Sequence, residues 1–165
     1  MIVGIMADTH DRLPMLDKAV KRLNEEKAEL VLHAGDYIAP FVVPYFEALE
    51  ANLIGVYGNN DGDKELLKKR FADIGGDIRG DFAEIKVDGI KVAMLHGHDE
   101  DLLHSLVDAK CYDVVVHGHT HESGTHRFEE TIVINPGEIC GYLTKKSSIA
   151  LLETKTLNVD IITLE

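Results

Sequence analysis

The chain has no tryptophan, two cysteines and four prolines, and aromatic residues make up 6% of its 165 positions. Cys111 and Cys140 follow no ligand or disulfide spacing, which excludes a disulfide framework and a cysteine-built zinc site; both read as reduced structural thiols. No apolar run approaches the roughly 18 residues that a membrane span needs. The opening Met-Ile-Val-Gly-Ile-Met-Ala lacks a basic region and meets Asp8 at once, so we expect no signal peptide and a cytoplasmic protein. Basic residues are scarce: 17 Lys and Arg against 29 Asp and Glu give a net charge of −12. Polyanionic partners, whether nucleic-acid polymers or anionic membranes, are disfavoured by that balance. With no repeat, basic run or Pro/Gly/Ser-rich linker, residues 1–165 read as one domain. A homo-oligomer stays open.

What the chain does have is apolar residues, 45% of the total, in short runs. Ile2 to Ala7, Leu30 to Ala34 and Leu53 to Val56 are β-branched and apolar, as strands buried on both faces are. Between and after them, Met15 to Glu26, Pro40 to Glu50 and Lys64 to Asp73 carry helical signals. In the second half, Phe82 to Val87 and Ile90 to Leu95 flank Asp88-Gly89, a two-residue hairpin signal. A helix is expected over Asp101 to Ala109. Further strands are expected over Val114 to Val116, Thr131 to Ile134, Ser148 to Glu153 and Leu157 to Thr163. A βαβα front half predicts a parallel sheet and the back half predicts antiparallel strands, together two packed sheets with helices outside.

Five of these runs stop in residues able to bind a metal: Asp8 and His10, then Asp36, Asn59, His96, and finally His119 and His121. Ligands gather beyond the carboxyl ends of parallel strands, so the five ends are candidates to meet in one crevice. Gly35, Gly58, Gly97 and Gly118 beside them permit tight turns and close backbone approach. Asp8 or Asp36 alone would more often be a helix cap; seven donors, all at strand ends, outweigh that reading. The set is oxygen and imidazole, suited to first-row divalent ions. Seven exceeds what one tetrahedral ion uses, and two ions result if a carboxylate bridges, with Asp36 the best candidate. His33 and His117 read as buried support, His104 and His126 as surface, and Asp61 as a brace for its own loop. His98 divides between a phosphate-facing role and a solvated loop. Asn135-Pro136-Gly137 is a turn first and a pocket wall second.

Asp8-Thr9-His10, Gly35-Asp36, Gly58-Asn59-Asn60-Asp61, Leu95-His96-Gly97-His98 and Gly118-His119-Thr120-His121 resemble, in order and spacing, the calcineurin-like metallophosphoesterases. The short chain, the hairpin before His96 and Asn135-Pro136-Gly137 resemble their small YfcE-type phosphodiesterase branch, which has archaeal members. The resemblance implies an α/β fold, a four-layer αββα sandwich of two mixed β-sheets flanked by helices. It implies two divalent ions per chain, Mn or Ni before Co, Fe or Zn. Asp8, His10, Asp36 and His121 would hold one, and Asp36, Asn59, His96 and His119 the other. The implied reaction is hydrolysis of small phosphodiesters by attack of a metal-bridging hydroxide. Two dications, Asp8, Asp36 and that hydroxide leave about +1, a match for a singly charged diester. One departure matters: many members place histidine after the metal-binding asparagine, and here Asn60 stands there. An amide cannot deliver a proton but can bond a phosphate oxygen, so proton delivery falls to His98 or to water, or the substrate carries a good leaving group; His98 is the candidate we favour. The rival readings are a phosphomonoesterase or nucleotide hydrolase on the same centre and a non-catalytic scaffold like the retromer subunit of this fold. Such scaffolds are expected to have eroded ligands, whereas all seven positions are filled here.

Overall fold

A computed structural model describes residues 1–165. Strands β1 (Ile2–Met6), β2 (Leu30–His33) and β3 (Asn52–Gly55) lie side by side in parallel. Alternate side chains enter different layers: Val3, Ile5, Leu30 and Leu32 on one face, Met6, Val31 and Leu53 on the other. Burial on both faces is why these runs are continuously apolar. Helix α1 (Leu13–Glu25) returns the chain from β1 to β2, with Pro14 in its first turn and Leu16, Ala19, Val20 and Leu23 buried against the sheet. Helix α2 (Lys64–Asp73) packs Leu67 and Phe71 on the same face and is capped by Asp63, whose carboxylate accepts from the Leu66 amide at 3.3 Å. A two-residue strand β4 (Asp77–Ile78) continues the parallel order beside β3.

Pro40 to Glu50, expected as a helix with Pro44 in its first turn or between two short pieces, is a 3-10 segment over Pro40–Phe46 with Pro44 inside it. Proline has no N–H to donate and its ring crowds the carbonyl four residues back. The tighter i→i+3 pattern, seen where Glu47 N–H donates to the Pro44 carbonyl at 3.3 Å, avoids that clash.

The second sheet holds β5 (Phe82–Val87), β6 (Ile90–Leu95), β7 (Val114–Val116), β8 (Gly124–Phe128) and β9 (Thr131–Asn135) in the spatial order β5-β6-β7-β9-β8. Val87 pairs with Ile90 across Asp88 (φ 48°) and Gly89 (φ 84°), the paired positive φ angles of the expected tight hairpin. Val114 and Val116 point at the first sheet, while Val115 packs outward against Val107 of α3 (Glu100–Asp108). Strands β10 (Ser147–Glu153) and β11 (Asn158–Leu164) then return to the first sheet, where β10 runs antiparallel to β1. Both sheets are therefore mixed, and helices cover the two outer faces: the α/β sandwich that the motifs implied. No helix is long and apolar enough to cross a membrane. The ends of β1, β2 and β3 in one sheet and of β6 and β7 in the other meet at one edge of the sandwich.

Candidate metal centre

Local geometry marks this edge before any side chain is considered. Asp8, His10, Asp36, His119 and His121 have φ values of 53°, 43°, 60°, 70° and 64°. Positive φ is uncommon outside glycine, and its clustering is typical of functional sites held in place by their surroundings. Here the surroundings are the loops themselves. Asp8 N–H donates to the Gly35 carbonyl at 3.0 Å and His10 N–H to the Asp36 carbonyl at 3.1 Å, so the first two loops are zipped together. The third loop closes onto the second so tightly that a Cβ on Gly58 would collide with Asp36 Oδ1.

Within this frame the donor atoms converge. His10 Nε2 lies 3.4 Å from Asp36 Oδ2 and 3.7 Å from Asp8 Oδ1. His96 Nε2 lies 3.2 Å from Asp36 Oδ2 and 4.0 Å from Asp8 Oδ1, and His121 Nε2 lies 3.5 Å from Asp8 Oδ1. Asp8, Asp36 and His96 are buried. Asp8 Oδ1, His10 Nε2 and His96 Nε2 are buried with no hydrogen-bond partner, although buried polar atoms are nearly always paired. Ligands about 2.1 Å from a common ion sit roughly 3.0–3.4 Å apart, close to most of these spacings. The residues thus fit divalent metal ions. Donor atoms of Asp8, His10 and Asp36 lie within 4.8 Å of one another. Asp36 Oδ2 faces both His10 and His96, the position a bridging carboxylate needs. The imidazoles fall into two groups: His10 and His121 (ring centroids 5.1 Å apart), and His96 with His119 and His98 (5.2 and 5.8 Å from His96).

Each donor is held from behind. His96 Nδ1 donates to the Ala34 carbonyl at 2.8 Å, which leaves its Nε2 as the basic nitrogen. Asp8 Oδ2 accepts the His119 N–H at 3.0 Å, leaving Oδ1 for the centre. Asp61, buried as expected of a brace, accepts the amides of Asp36, Ile38 and Gly58 at 3.1, 2.8 and 2.7 Å and ties two loops together. Asn135 donates to the Gly118 carbonyl at 3.2 Å and to Thr120 Oγ1 at 2.9 Å, supporting the turn that carries His119. His33, stacked on Tyr37, accepts the Gly35 N–H on Nδ1 and bonds Thr9 Oγ1 through Nε2 at 2.7 Å, so it is support and no ligand. The ring of half-buried His117 bonds the Gly118 carbonyl through Nδ1 at 3.0 Å. Behind His121 stands Glu138, fully buried, its Oε2 2.7 Å from His121 Nδ1 and 2.9 Å from Cys140 Sγ.

The charges follow from this packing. The Asp36 and Asp8 carboxylates lift His10 to about 9. Burial opposes ionisation of Asp36, but the neighbouring His10 and His96 imidazoles and the bond from Asn60 outweigh it and hold the carboxyl far below its usual range. His96 is raised: burial works against its charge, and Asp36 and Asp8 overcome it. His119, without a carboxylate partner, is lowered by burial and by His96. Burial and the neighbouring Glu138 push the Cys140 thiol up to about 12, so it stays an S–H donor at neutral pH and offers no thiolate.

Of the seven expected ligands, Asp8, His10, Asp36, His96 and His121 face one another directly, and His119 joins them through its ring and its N–H. Asn59 is exposed, between Gly58 and Asn60, both of which touch Asp36. His98 is exposed beside His96 and His119. Asn60, expected to face a phosphate, gives its amide Nδ2 to Asp36 Oδ2 at 2.8 Å and its N–H to Oδ1 at 2.9 Å. Glu138 carries no sequence expectation, while Cys140, expected as a reduced structural thiol, is free, buried and bonded to it. The signal for Glu138 was a lone carboxylate directly after Asn135-Pro136-Gly137 and before apolar Ile139 and Cys140.

Residues 1–157 match the model of the calcineurin-like phosphoesterase superfamily domain. The chain belongs to this superfamily and is classed with hydrolases acting on phosphoric esters. It is 43% identical over 166 residues to Phosphodiesterase MJ0936 of Methanocaldococcus jannaschii, covering 100% of both chains. A solved structure described as a novel archaeal phosphodiesterase superposes with a TM-score of 0.96 at 43% identity, covering 99% of this chain and 100% of that one. Yfce, a phosphoesterase from E. coli, shares the fold at a TM-score of 0.73 and 18% identity over 100% of both chains.

Proposed function

We propose that this protein hydrolyses small phosphodiesters on a pair of divalent metal ions held by Asp8, His10, Asp36 and His121 on one side and Asp36, Asn59, His96 and His119 on the other. The observation that carries it is the convergence of Asp8 Oδ1, His10 Nε2 and His96 Nε2, buried and unpartnered, around Asp36 Oδ2. The phosphodiesterase named above, identical over 43% of the alignment, supports a diester substrate. Divalent ions, Mn or Ni first, would supply an activated water and screen the phosphate oxygens when bound.

The chain's own residues perform the remaining tasks. Asp61 holds the Asp36 backbone amide and Asn60 its carboxylate, Ala34 and Glu138 fix the His96 and His121 rings, and Asp8 is anchored by the His119 amide. Exposed His98, beside His96 and His119, is where a departing alkoxide would receive its proton. One Nδ2 proton of Asn60 is committed to Asp36 and the second stays free on an exposed side chain, so we place its main role on Asp36. A net charge of −12 repels long polynucleotides and favours small, singly charged esters. The test is metal depletion, reconstitution with Mn, Ni, Co, Zn or Mg, and assay on bis-p-nitrophenyl phosphate and p-nitrophenyl phosphate. Hydrolysis of the diester is expected to exceed that of the monoester. No hydrolysis of either with any ion would overturn the reading, and preference for the monoester would make the protein a phosphomonoesterase.

A further inference from the structure

Glu138 has an unusual position for a carboxylate. It is fully buried, and no lysine or arginine pairs with it. Its charge is met by hydrogen-bond donors alone. Oε2 faces His121 Nδ1 (2.7 Å) and Cys140 Sγ (2.9 Å) and accepts the Tyr142 N–H (2.9 Å), while Oε1 accepts the Leu143 and Thr144 amides (3.0 and 2.6 Å) and Thr144 Oγ1 (2.8 Å). Three consecutive backbone N–H groups wrapped around one carboxylate form a small anion-binding nest. The nest leaves Glu138 no freedom to turn away. Burial of a charge is costly unless every bond is made, so the chain has built a loop to keep a full negative charge behind one imidazole.

We propose that Glu138 is a positioning residue for the metal centre: it commits the Nδ1 proton of His121 to itself, so that Nε2 presents its lone pair toward Asp8 and the ion on that side. The inference rests on the metal-centre reading above. A carboxylate accepts only, so the 2.7 Å bond fixes both the tautomer and the ring plane, and it makes Nε2 a stronger donor to a cation. His96 on the other side is backed only by the neutral Ala34 carbonyl. Glu138 therefore acts selectively on the His121 side, and Thr144 acts one step further back by holding Glu138.

The test is titration of metal-depleted protein with Mn or Zn, reading the stoichiometry and dissociation constant of each ion in wild type, Glu138→Gln, Thr144→Val, His121→Ala and the Glu138→Gln/His121→Ala pair. Glu138→Gln is expected to weaken one ion roughly 10- to 100-fold and leave the other unchanged. Thr144→Val, which leaves His121 and Glu138 in place, is expected to shift the same ion in the same direction by a smaller factor. In the His121→Ala background, Glu138→Gln is expected to add no further loss. Unchanged binding in Glu138→Gln, or an equal loss with and without His121, overturns the proposal while leaving a two-ion wild type intact. A wild type that binds no ion overturns the metal centre itself and this proposal with it. Should Glu138→Gln fail to fold, nitrogen NMR of zinc-loaded wild type decides: Nδ1–H with Nε2 on the metal supports the proposal, and Nδ1 on the metal overturns it.

Discussion

The two sides of the proposed metal centre are built to different specifications. On one, Asp8 is fully buried and His121 nearly so, and the carboxylate of Glu138 backs the imidazole. On the other, His96 is buried, but its support is a neutral carbonyl, His119 is half-buried and Asn59 is exposed. The first side concentrates negative charge in a low-dielectric setting, where Coulomb attraction to a cation is strongest. The second exchanges charge for access, and His98 stands beside it in solvent. The difference teaches that one ion is expected to bind tightly and the other to exchange more readily next to arriving substrate.

In the proposed assignment Asp36 serves both ions, so its loss is expected to have the largest effect. Asp36→Ala should lower diester turnover at least about a thousandfold, on the order of losing the activated water, and loosen both ions. One ion retained at wild-type affinity would assign Asp36 to a single side. Next, His121→Ala and Asn59→Ala compare the sides directly. Calorimetric titration should show a loss of roughly a hundredfold for the tighter ion in the first variant and about tenfold for the weaker ion in the second. Equal losses would erase the asymmetry.

A third contrast concerns the histidines behind the centre. Burial, with the nearby His96 charge, lowers His33 to about 3, and burial lowers His117 as well. The unfolded chain protonates His33 near 6.5, whereas the folded protein resists until about 3, so the unfolded state binds more protons in between. Stability contributed by neutral His33 is thus complete above pH 6.5 and is lost as pH falls toward 3. Between pH 7 and pH 5 it should cost about 2 kcal/mol. Urea unfolding across this range should show a shallower pH slope in His33→Gln than in wild type. His117→Gln should change the slope less, and equal changes would remove the distinction. The smallest effect is expected for His98→Ala. Turnover should fall about tenfold with both ions retained, since water can also reach an exposed position; an unchanged rate would return His98 to the status of a solvated loop residue.

Much of this centre was legible in residue order. Every donor except His98 and Asn60 was marked by following a short apolar run, and each such run is a strand buried on both faces. The Asp88-Gly89 hairpin and the helix start at Pro14 obey local rules of φ and capping. Exposed β8 carries no apolar pattern and two-residue β4 is too short for one, so neither was seen. Asn60 was read through its side-chain chemistry toward phosphate, and the structure gives its amide to Asp36, 24 positions away.

By itself the sequence determined the elements and the donor chemistry, because propensity, alternation and turn geometry act between near neighbours in the chain. It placed His119 and His121 at the end of a valine strand, and only the family resemblance grouped them with Asp8, His10, Asp36, Asn59 and His96. Tertiary structure alone decided that β10 lies beside β1 and that Glu138 sits behind His121, and it set the 3.4 and 3.2 Å at which Asp36 Oδ2 faces His10 and His96. Those are contacts across the sandwich edge, set by how two sheets bury a common layer, and no spacing within one segment encodes them.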